Sequence, residues 1–393
     1  MNRPLNSDQL PATPSREDFA WRDHWVMQHD GEGGQIGHPA AFRFLPWHGD
    51  RPVFPWGLAV LDSGGWAVAG VAGSMTLAQS NQTVIGLSDD QGASWDYVEV
   101  PGCSTRPMML SNLGSGVISF MSSWSDEGNF RYYSHDHGAT WERGDRLPEA
   151  PDGTQMDCEG NALIDRDVAG NATVVAETGQ TVSKGPLPQN PCCGCIRWSR
   201  DGGRTWGPVS WPQEWVWYDE CDGEQVERGV GEGALVRAAN GSVVAAVRSD
   251  MPAQYIPLHY DNFEGTAVSI SNDEGATWSP LDFVFGPGRH HVTLLRLPND
   301  DLVLTVIRRL DFGAGDLATY RRGCDAVVSH DHGVTWDVEH RYVVDDFAAL
   351  GTEEWYHVAC GHQFSVSVGD GSVLSAYGNY RNAGALVHWR PAG

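Results

Sequence analysis

The residues of this 393-residue chain that are best suited to chemistry are histidines with acidic and basic neighbours. His290 and His291 are adjacent, and His357 and His362 lie close together further along the chain. Imidazole titrates near neutral pH, so it is the natural general acid or base. Neutral imidazoles with a nearby glutamate such as Glu232 could equally bind a divalent metal ion. The first question is therefore whether the fold brings these side chains together.

A recurring unit of two apolar strands joined by a Gly/Asn/Asp turn would position them. It occurs six times, at 57–71, 106–121, 160–179, 233–248, 291–309 and 362–380. The start of the first strand and the end of the second lie together at one end of such a hairpin. The residues that flank the six hairpins are therefore expected to converge on one face. The candidates are Arg106, Asp157, Glu159, Glu177, Glu232, Arg248, Asp250, His290, His291, Arg308, Arg309, His357, His362, Tyr377 and Tyr380.

A second repeat fixes the expected architecture. The pattern Ser-x-Asp-x-Gly-x-(Ser/Thr)-Trp occurs five times, at 88–95, 134–141, 199–206, 271–278 and 329–336. Asp and Ser side chains bind the backbone N–H groups of such a turn, glycine takes a backbone angle closed to other residues, and the Trp packs under it. One copy follows each of the first five hairpins. The sequence therefore predicts an all-β, six-bladed β-propeller with four-stranded antiparallel blades, in which an N-terminal strand near 41–45 completes the last blade.

This pattern resembles the Asp-box, or bacterial neuraminidase repeat, of the sialidase superfamily. The resemblance implies a carboxylate-binding set of three arginines, a Tyr nucleophile activated by Glu, and an Asp acid/base. Glu232 and Arg248 match the Glu and the second Arg, and Arg321 or Arg322 stands at the place of the third. His362 occupies the position of the nucleophilic Tyr.

The remaining parts of the sialidase set are missing from their expected places. The motif of the first Arg should open the first hairpin, but residues 53–57 read Val-Phe-Pro-Trp-Gly. Arg43 lies well before that hairpin, and the loop expected to hold the acid/base Asp, 72–83, contains no carboxylate. A Tyr nucleophile suits sialic acid because an anionic nucleophile is repelled by the neighbouring carboxylate. Its replacement by His predicts a different sugar or a different reaction.

The leading hypothesis is a glycoside hydrolase that acts on an anionic, carboxylate-bearing glycan through His/Glu/Arg chemistry. Its catalytic residues would be His362, His290, His291, Glu232 and Tyr377. Its substrate-binding residues would be Arg248, Arg308, Arg321, Arg322, Arg106, His357 and Tyr380. A β-eliminating uronate lyase and a non-catalytic glycan- or protein-binding propeller are the alternatives. No cofactor is expected, although a divalent metal bound by the histidines is possible.

Composition narrows the other possibilities. The formal charge of −25 argues against nucleic acid and anionic membranes as partners. The sequence has no apolar run of transmembrane length and no signal peptide, which predicts a cytoplasmic protein. We expect a single domain over 1–393, with residues 1–40 as an extension packed on the ring or leading into it. The oligomeric state is not predicted.

Overall fold

The structure of this chain is a computed structural model that describes residues 14–73, 82–123, 127–181, 193–221, 223–250, 264–312, 318–319, 322–346, 362–379 and 383–392. In this part of the chain the regular structure is β, apart from two short 3-10 helices, Arg16–Phe19 and Gln213–Trp215. None of the helices described is long and apolar enough to cross a membrane. The prediction of an all-β chain is confirmed.

The strands are named in chain order. They are β1 (Arg22–His29), β2 (Gln35–Phe44), β3 (Val53–Val60), β4 (Trp66–Ala72), β5 (Gln82–Ser88), β6 (Asp96–Glu99), β7 (Arg106–Gly114), β8 (Val117–Ser123), β9 (Phe130–Ser134), β10 (Glu142–Arg146), β11 (Met156–Asp157), β12 (Leu163–Arg166), β13 (Ala172–Thr181), β14 (Cys193–Ser199), β15 (Trp217–Cys221), β16 (Glu224–Arg228), β17 (Val230–Arg237), β18 (Val243–Ser249), β19 (Gly265–Ser271), β20 (Asp282–Phe285), β21 (Arg289–Arg296), β22 (Leu302–Arg308), β23 (Asp311–Phe312), β24 (Ala318–Thr319), β25 (Gly323–Ser329), β26 (Tyr342–Asp346), β27 (Gln363–Ser367), β28 (Val373–Asn379) and β29 (Ala383–Trp389).

Most of these strands form antiparallel sheets, which we number along the chain. Sheet 1 contains β3 to β6, sheet 2 contains β7 to β10, sheet 3 contains β11 to β14, and sheet 4 contains β17 to β20. Sheet 5 contains β21, β22, β25 and β26, and sheet 6 contains β27, β28, β29 and β2. Strands β15 and β16, and β23 and β24, form separate small hairpins. All the predicted hairpins are present as paired strands, one in each numbered sheet.

The N-terminal strand completes sheet 6, as predicted. Ala41 pairs with His388 and Phe44 pairs with Ala385, so β2 adds to the edge of β29. The preceding strand β1 pairs with both β2 and β26, and thereby joins sheets 5 and 6 into one nine-stranded sheet. Within the expected N-terminal extension, residues 22–40 therefore form β1 and the first part of β2.

One edge strand from each of the six sheets borders a common cavity of about 530 Å³. The lining side chains include Leu58 of β3, Leu110 of β7, Leu163 of β12, Leu235 of β17, Leu294 of β21 and Val366 of β27. These are the innermost strands, because the other strands of each sheet follow outward by hydrogen bonding. Residues at the beginning of each inner strand therefore lie near one another at one end of this cavity.

Apolar side chains fill the space between adjacent sheets. Ile85 of sheet 1 packs in the same buried cluster as Phe120 of sheet 2, and Val244 of sheet 4 packs with Leu302 and Val327 of sheet 5. Successive side chains of a strand point to opposite faces, so each sheet is covered by a neighbour on both sides. Burying one such side chain contributes about 1.5–3 kcal/mol, which makes this packing the main source of stability.

The loops at the five positions of the Ser-x-Asp-x-Gly repeat fold alike. In each copy the Ser hydroxyl donates to the Asp carboxylate and accepts from the Gly N–H, and the Ser or Thr before the Trp donates twice to the same Asp. Hydrogen bonds from Ser94 and Thr140 lower the pKa of Asp90 and of Asp136 to about 2. Gly275 has φ +81° and its α-carbon faces Trp198, so a side chain does not fit. The loops close outer strands and lie apart from the inner-strand ends.

We predict that Asp273→Ala lowers stability and leaves function intact. The substitution removes the acceptor of hydrogen bonds from Ser271 and Thr277, and the melting temperature should fall by roughly 2–5 °C. Differential scanning calorimetry measures the change, with the exposed Asp282→Ala of the same sheet as the charge-matched control. A large loss of activity at an unchanged melting temperature would contradict the structural role.

Candidate functional site

Extra residues interrupt the pairing of the inner strands near their beginnings. In sheet 1, Trp56 is an unpaired residue between Pro55 and Gly57. Similar irregularities lie between Val230 and Gly233, between His290 and Thr293, and between Met108 and Ser111. In sheet 3, the five residues 158–162 lie opposite the three residues 177–179. Such bulges redirect side chains and are frequent beside functional sites.

The bulged residues carry the reactive side chains of the cluster. Glu159, Glu232 and His291 all lie in these irregular stretches, in sheets 3, 4 and 5. His291 has φ +53°, a left-handed backbone conformation that is uncommon for a residue with a side chain. The bulges therefore place acidic and imidazole groups where regular alternation would not, and the strained His291 backbone is consistent with a functional constraint.

Two histidines and two glutamates make direct contact. The Nδ1 atom of His362 lies 2.7 Å from Oε2 of Glu159, and Nδ1 of His291 lies 3.6 Å from the same oxygen. His291 Nδ1 also contacts Oε2 of Glu232. The two imidazole rings are 4.2 Å apart, and the His290 ring lies 4.4 Å from His291. We call Glu159, Glu232, His291 and His362 the His/Glu cluster.

Two guanidinium groups surround the His/Glu cluster. Arg248 contacts Glu232 at 2.9 Å, as its predicted place at the end of the same hairpin requires. It also contacts Asp250 at 3.0 Å, Glu264 at 3.1 Å and the amide oxygen of Gln180 at 3.0 Å. Side chains of this protein therefore occupy most N–H donors of the Arg248 guanidinium, and few remain to bind a substrate carboxylate.

Arg106 and Trp56 cover the opposite side of the cluster. Arg106 lies over the Trp56 ring at 4.4 Å and places Nη1 3.9 Å from Oε1 of Glu159. Trp56 also packs against the His362 ring at 4.5 Å. The two oxygens of Glu159 are thus divided, with one facing a guanidinium and the other facing the two imidazoles. Every numbered sheet contributes at least one residue to the assembled site.

Burial shifts the pKa values of two members of the cluster. Burial, and then the charge of Glu232, raise the pKa of Glu159 well above its ordinary value. Burial, and then His291, lower the pKa of His362 well below its ordinary value. The 2.7 Å contact therefore joins a carboxyl and an imidazole whose charged forms are both disfavoured by burial. The four side chains of the cluster are only 4–6% exposed, so the cluster is buried.

Two residues of the expected site lie elsewhere, which corrects their assignment. Tyr377 is fully buried between sheets 5 and 6 and its hydroxyl donates to Asp345. Alternation along β28 explains the difference, because Ala376 faces the other cluster of buried residues while Tyr377 faces away from it. Arg308 pairs with Asp325 and Asp346, each at 2.8 Å, and lines a separate cavity of about 230 Å³.

The remaining expected residues divide into two groups. His290 is fully buried beside His291, and Arg322 is fully buried just before β25 at the same end of sheet 5. Arg321, His357 and Tyr380 lie outside the described residues. The sequence pointed to Glu159 as a strand-end candidate but did not place it in the catalytic set, and it missed Trp56. Trp56 lies in the stretch 53–57, where the sialidase resemblance expects the first Arg, but the resemblance gave it no role of its own.

Glu177, another strand-end candidate, has a structural role. It is fully buried between Arg131 and Arg197, with Oε2 at 2.7 Å from the Arg197 guanidinium and Oε1 in contact with Arg131. Burial alone would raise the pKa of Glu177, but the two guanidiniums outweigh it and keep that pKa below its ordinary value. The triad therefore joins sheets 2 and 3 as a buried set of charges.

Comparison with known proteins supports the resemblance. The BNR/Asp-box repeat family matches residues 132–143. A protein of unknown function from Dyadobacter fermentans has a similar structure, with a TM-score of 0.63 and 16% identity over 94% of this chain and 100% of that one. The Hadza microbial sialidase Hz136 is similar with a TM-score of 0.59 and 15% identity, over 86% of this chain and 66% of the other. No curated protein sequence matches this chain.

These likenesses define the class of fold. The chain has an all-β propeller fold with an Asp-box repeat and resembles the sialidase superfamily, as its sequence indicated. At these identities the solved structures establish the fold, and the chemistry has to be argued from the site itself.

We predict that Glu177→Gln destabilises the protein by about 3–5 kcal/mol, because it leaves two buried guanidiniums without a counter-charge. Urea unfolding measures the loss, with the exposed Glu142→Gln as the control. Since the folded-state pKa of Glu177 is lowered, its contribution is fully present above about pH 4.3 and declines as the pH falls toward that lowered pKa. The wild type and the variant should therefore become more alike in acid. Equal stability at pH 7 would disprove the triad's role.

Proposed function

We propose that this protein is a carbohydrate-active enzyme, a glycoside hydrolase whose reaction takes place at the His/Glu cluster. The observation that carries the proposal is the meeting of Glu159, Glu232, His291 and His362 where the inner strands begin. Buried titratable groups are costly to stability, and groups with strongly shifted pKa values concentrate at active sites. The propeller fold, shared with a sialidase, gives the proposal its substrate class.

The architecture that supports this site is part of the proposal. We take the six numbered sheets as the six blades of one closed ring that forms a single domain. Two observations support it: one edge strand from each of the six sheets lines the same cavity, and β27 of sheet 6 contacts β3 of sheet 1. A ring of this kind makes the inner-strand ends of every blade available to one ligand.

An acidic glycan is the proposed substrate. Arg248 and Arg308 add little to this part of the proposal, because carboxylates of the chain hold both. The support comes from Arg106 beside Glu159 and from Arg309, which is buried where β22 ends and contributes to lowering the pKa of His362. A guanidinium at this position would bind a substrate carboxylate through paired hydrogen bonds.

The carboxyl geometry restricts how the bond is cleaved. Two-carboxylate glycosidases hold their catalytic pair about 5–5.5 Å apart when they retain configuration and about 6.5–9.5 Å apart when they invert it. Glu159 and Glu232 both reach Nδ1 of His291, so they lie on one side of the reaction centre with no room for a sugar between them. We therefore propose that these carboxyls act from one side and that an imidazole provides the second proton-transfer group.

The same geometry favours β-elimination as the second candidate reaction. A lyase needs a base for the proton beside the uronate carboxylate, and a neutral imidazole such as His362 is suited to that task. It does not need two carboxylates on opposite faces of the sugar. Both reactions release a new reducing end, but only elimination produces the ultraviolet absorbance of an unsaturated uronate.

The decisive experiment is a screen of the purified full-length chain against paired acidic and carboxyl-reduced oligosaccharides. We expect reducing ends from the acidic member of a pair and little from its reduced counterpart, without the unsaturated-uronate absorbance. Equal cleavage of both members of a pair would exclude a requirement for the substrate carboxylate. The appearance of unsaturated-uronate absorbance would establish that the enzyme is a lyase. Binding without any cleavage would show that the propeller is a glycan-binding protein.

We predict that His362→Ala lowers turnover on the cleaved substrate by about 10²–10⁴-fold, the range expected when a general acid or base is lost. The exposed His330→Ala serves as the matched control and should retain wild-type activity. His362→Tyr places a phenol at the position of the sialidase nucleophile, and we expect it to be inactive on sialosides and on the native substrate. Full activity of His362→Ala would exclude this residue from the reaction.

A further inference from the structure

We propose that the His/Glu cluster binds one divalent transition-metal ion, with Glu159, His291 and His362 as ligands and Glu232 as the fourth donor. The three principal donors offer ligand atoms within 4.8 Å of one another. Two imidazole nitrogens and one carboxylate oxygen form a donor set that proteins use for Zn²⁺ and related ions.

The spacing of the donor atoms fits a single ion. Zinc lies about 2.0–2.2 Å from nitrogen and oxygen ligands, so neighbouring donors of a tetrahedral site are about 3.4 Å apart. The distances from Oε2 of Glu159 to Nδ1 of His362 and of His291 are 2.7 Å and 3.6 Å, on either side of that value. Oε2 of Glu232 approaches the same nitrogen of His291. Small side-chain rotations would therefore bring the ligand atoms of Glu159, His291 and His362 to one centre, with Glu232 beside His291.

The charge of the site also fits a dication. Four carboxylates, those of Glu159, Glu232, Asp250 and Glu264, form the ion pairs described above with the two guanidiniums of Arg106 and Arg248. When every carboxylate is ionised, this network carries two negative charges in excess. A buried excess of that size is unfavourable unless protons or a cation neutralise it. A divalent ion bound at the cluster would offset this excess, together with the nearby charge of Arg309.

Surrounding groups hold the proposed ligands in place. Arg106 faces Oε1 of Glu159 while Oε2 faces the imidazoles, and Arg248 contacts Glu232. Trp56 packs on the His362 ring and His290 packs on the His291 ring. Metal sites depend on such neighbours to orient their ligands. An ion held here would polarise a substrate oxygen or activate a water molecule. This catalytic role rests on the proposed function, whereas metal binding does not.

The test uses the full-length chain after chelator treatment and dialysis. Isothermal titration with Zn²⁺ should show one ion bound per chain, and Co²⁺ should give a visible absorption band when imidazoles enter its coordination shell. His291→Ala and Glu159→Gln should each weaken Zn²⁺ binding by at least about a hundredfold, because each removes a ligand. His388→Ala, a half-buried histidine that contacts Ser372 in sheet 6, is the matched control and should bind as the wild type does. Mg²⁺ should not compete, since it prefers oxygen donors.

The outcomes separate this inference from the proposed enzyme activity. Absence of stoichiometric Zn²⁺ binding by the wild type would overturn the metal site, whatever glycans are cleaved. Unchanged affinity in folded His291→Ala and Glu159→Gln would place the ion elsewhere and overturn it as well. If a variant does not fold, the shift of the wild-type melting temperature by Zn²⁺ and the Co²⁺ band decide the question. Metal binding without glycan cleavage would support the metal site and contradict the proposed glycoside hydrolase activity.

Discussion

The close approach of three inner strands at Gly160 is the constraint on which the site depends. A β-carbon at this position would lie 2.6 Å from the carbonyl oxygen of Gly233 and 2.8 Å from that of Val292, so only glycine fits between sheets 4 and 5. The next residue, Asn161, accepts from the N–H of Leu294 through its side chain and from that of Leu235 through its backbone carbonyl. Sheets 3, 4 and 5 are therefore joined through their backbones beside the bulges that carry Glu159, Glu232 and His291.

The two buried charge networks of this chain differ in how far their charges are matched. In the triad of Arg131, Glu177 and Arg197, one carboxylate is matched by two guanidiniums, and its pKa is lowered. In the His/Glu cluster carboxylates outnumber guanidiniums, and the pKa of Glu159 is raised. The first network is electrostatically closed and holds two sheets together. The second has an excess of negative charge, which a proton, a cation or a positively charged ligand group would neutralise.

The sequence was sufficient for features that depend on local residue patterns. Turn residues and apolar alternation gave the hairpins, the Asp-box pattern gave the loops, and the expected pairing of a strand near 41–45 with the last strand is present. Glu232 and Arg248 were expected to meet because they flank one hairpin, and they do. The placement of His362 beside other histidines followed from the same argument about strand ends.

Features that depend on irregular pairing could not be predicted. No sequence signal indicated that Trp56 would be an extra residue in β3, or that five residues around Glu159 would oppose three. The number of carboxylates around Arg248 depends on Glu264, which comes from beyond the hairpin and reaches the same guanidinium only in the folded chain. Tyr377 was misplaced because strand-end position says where a residue lies but not which face of the sheet its side chain occupies.

The pairing of β2 with β29 has a consequence for biosynthesis. Phe44 meets Ala385 in the finished sheet, yet the ribosome makes one of these residues long before the other. At about 5–20 residues per second, roughly 340 residues of synthesis correspond to a delay of about 17–70 s. Throughout that interval the edge of β2 that later pairs with β29 lacks its partner, and unpaired edges invite pairing with other chains. Sheet 6 must therefore assemble late, after most of the polypeptide has left the exit tunnel.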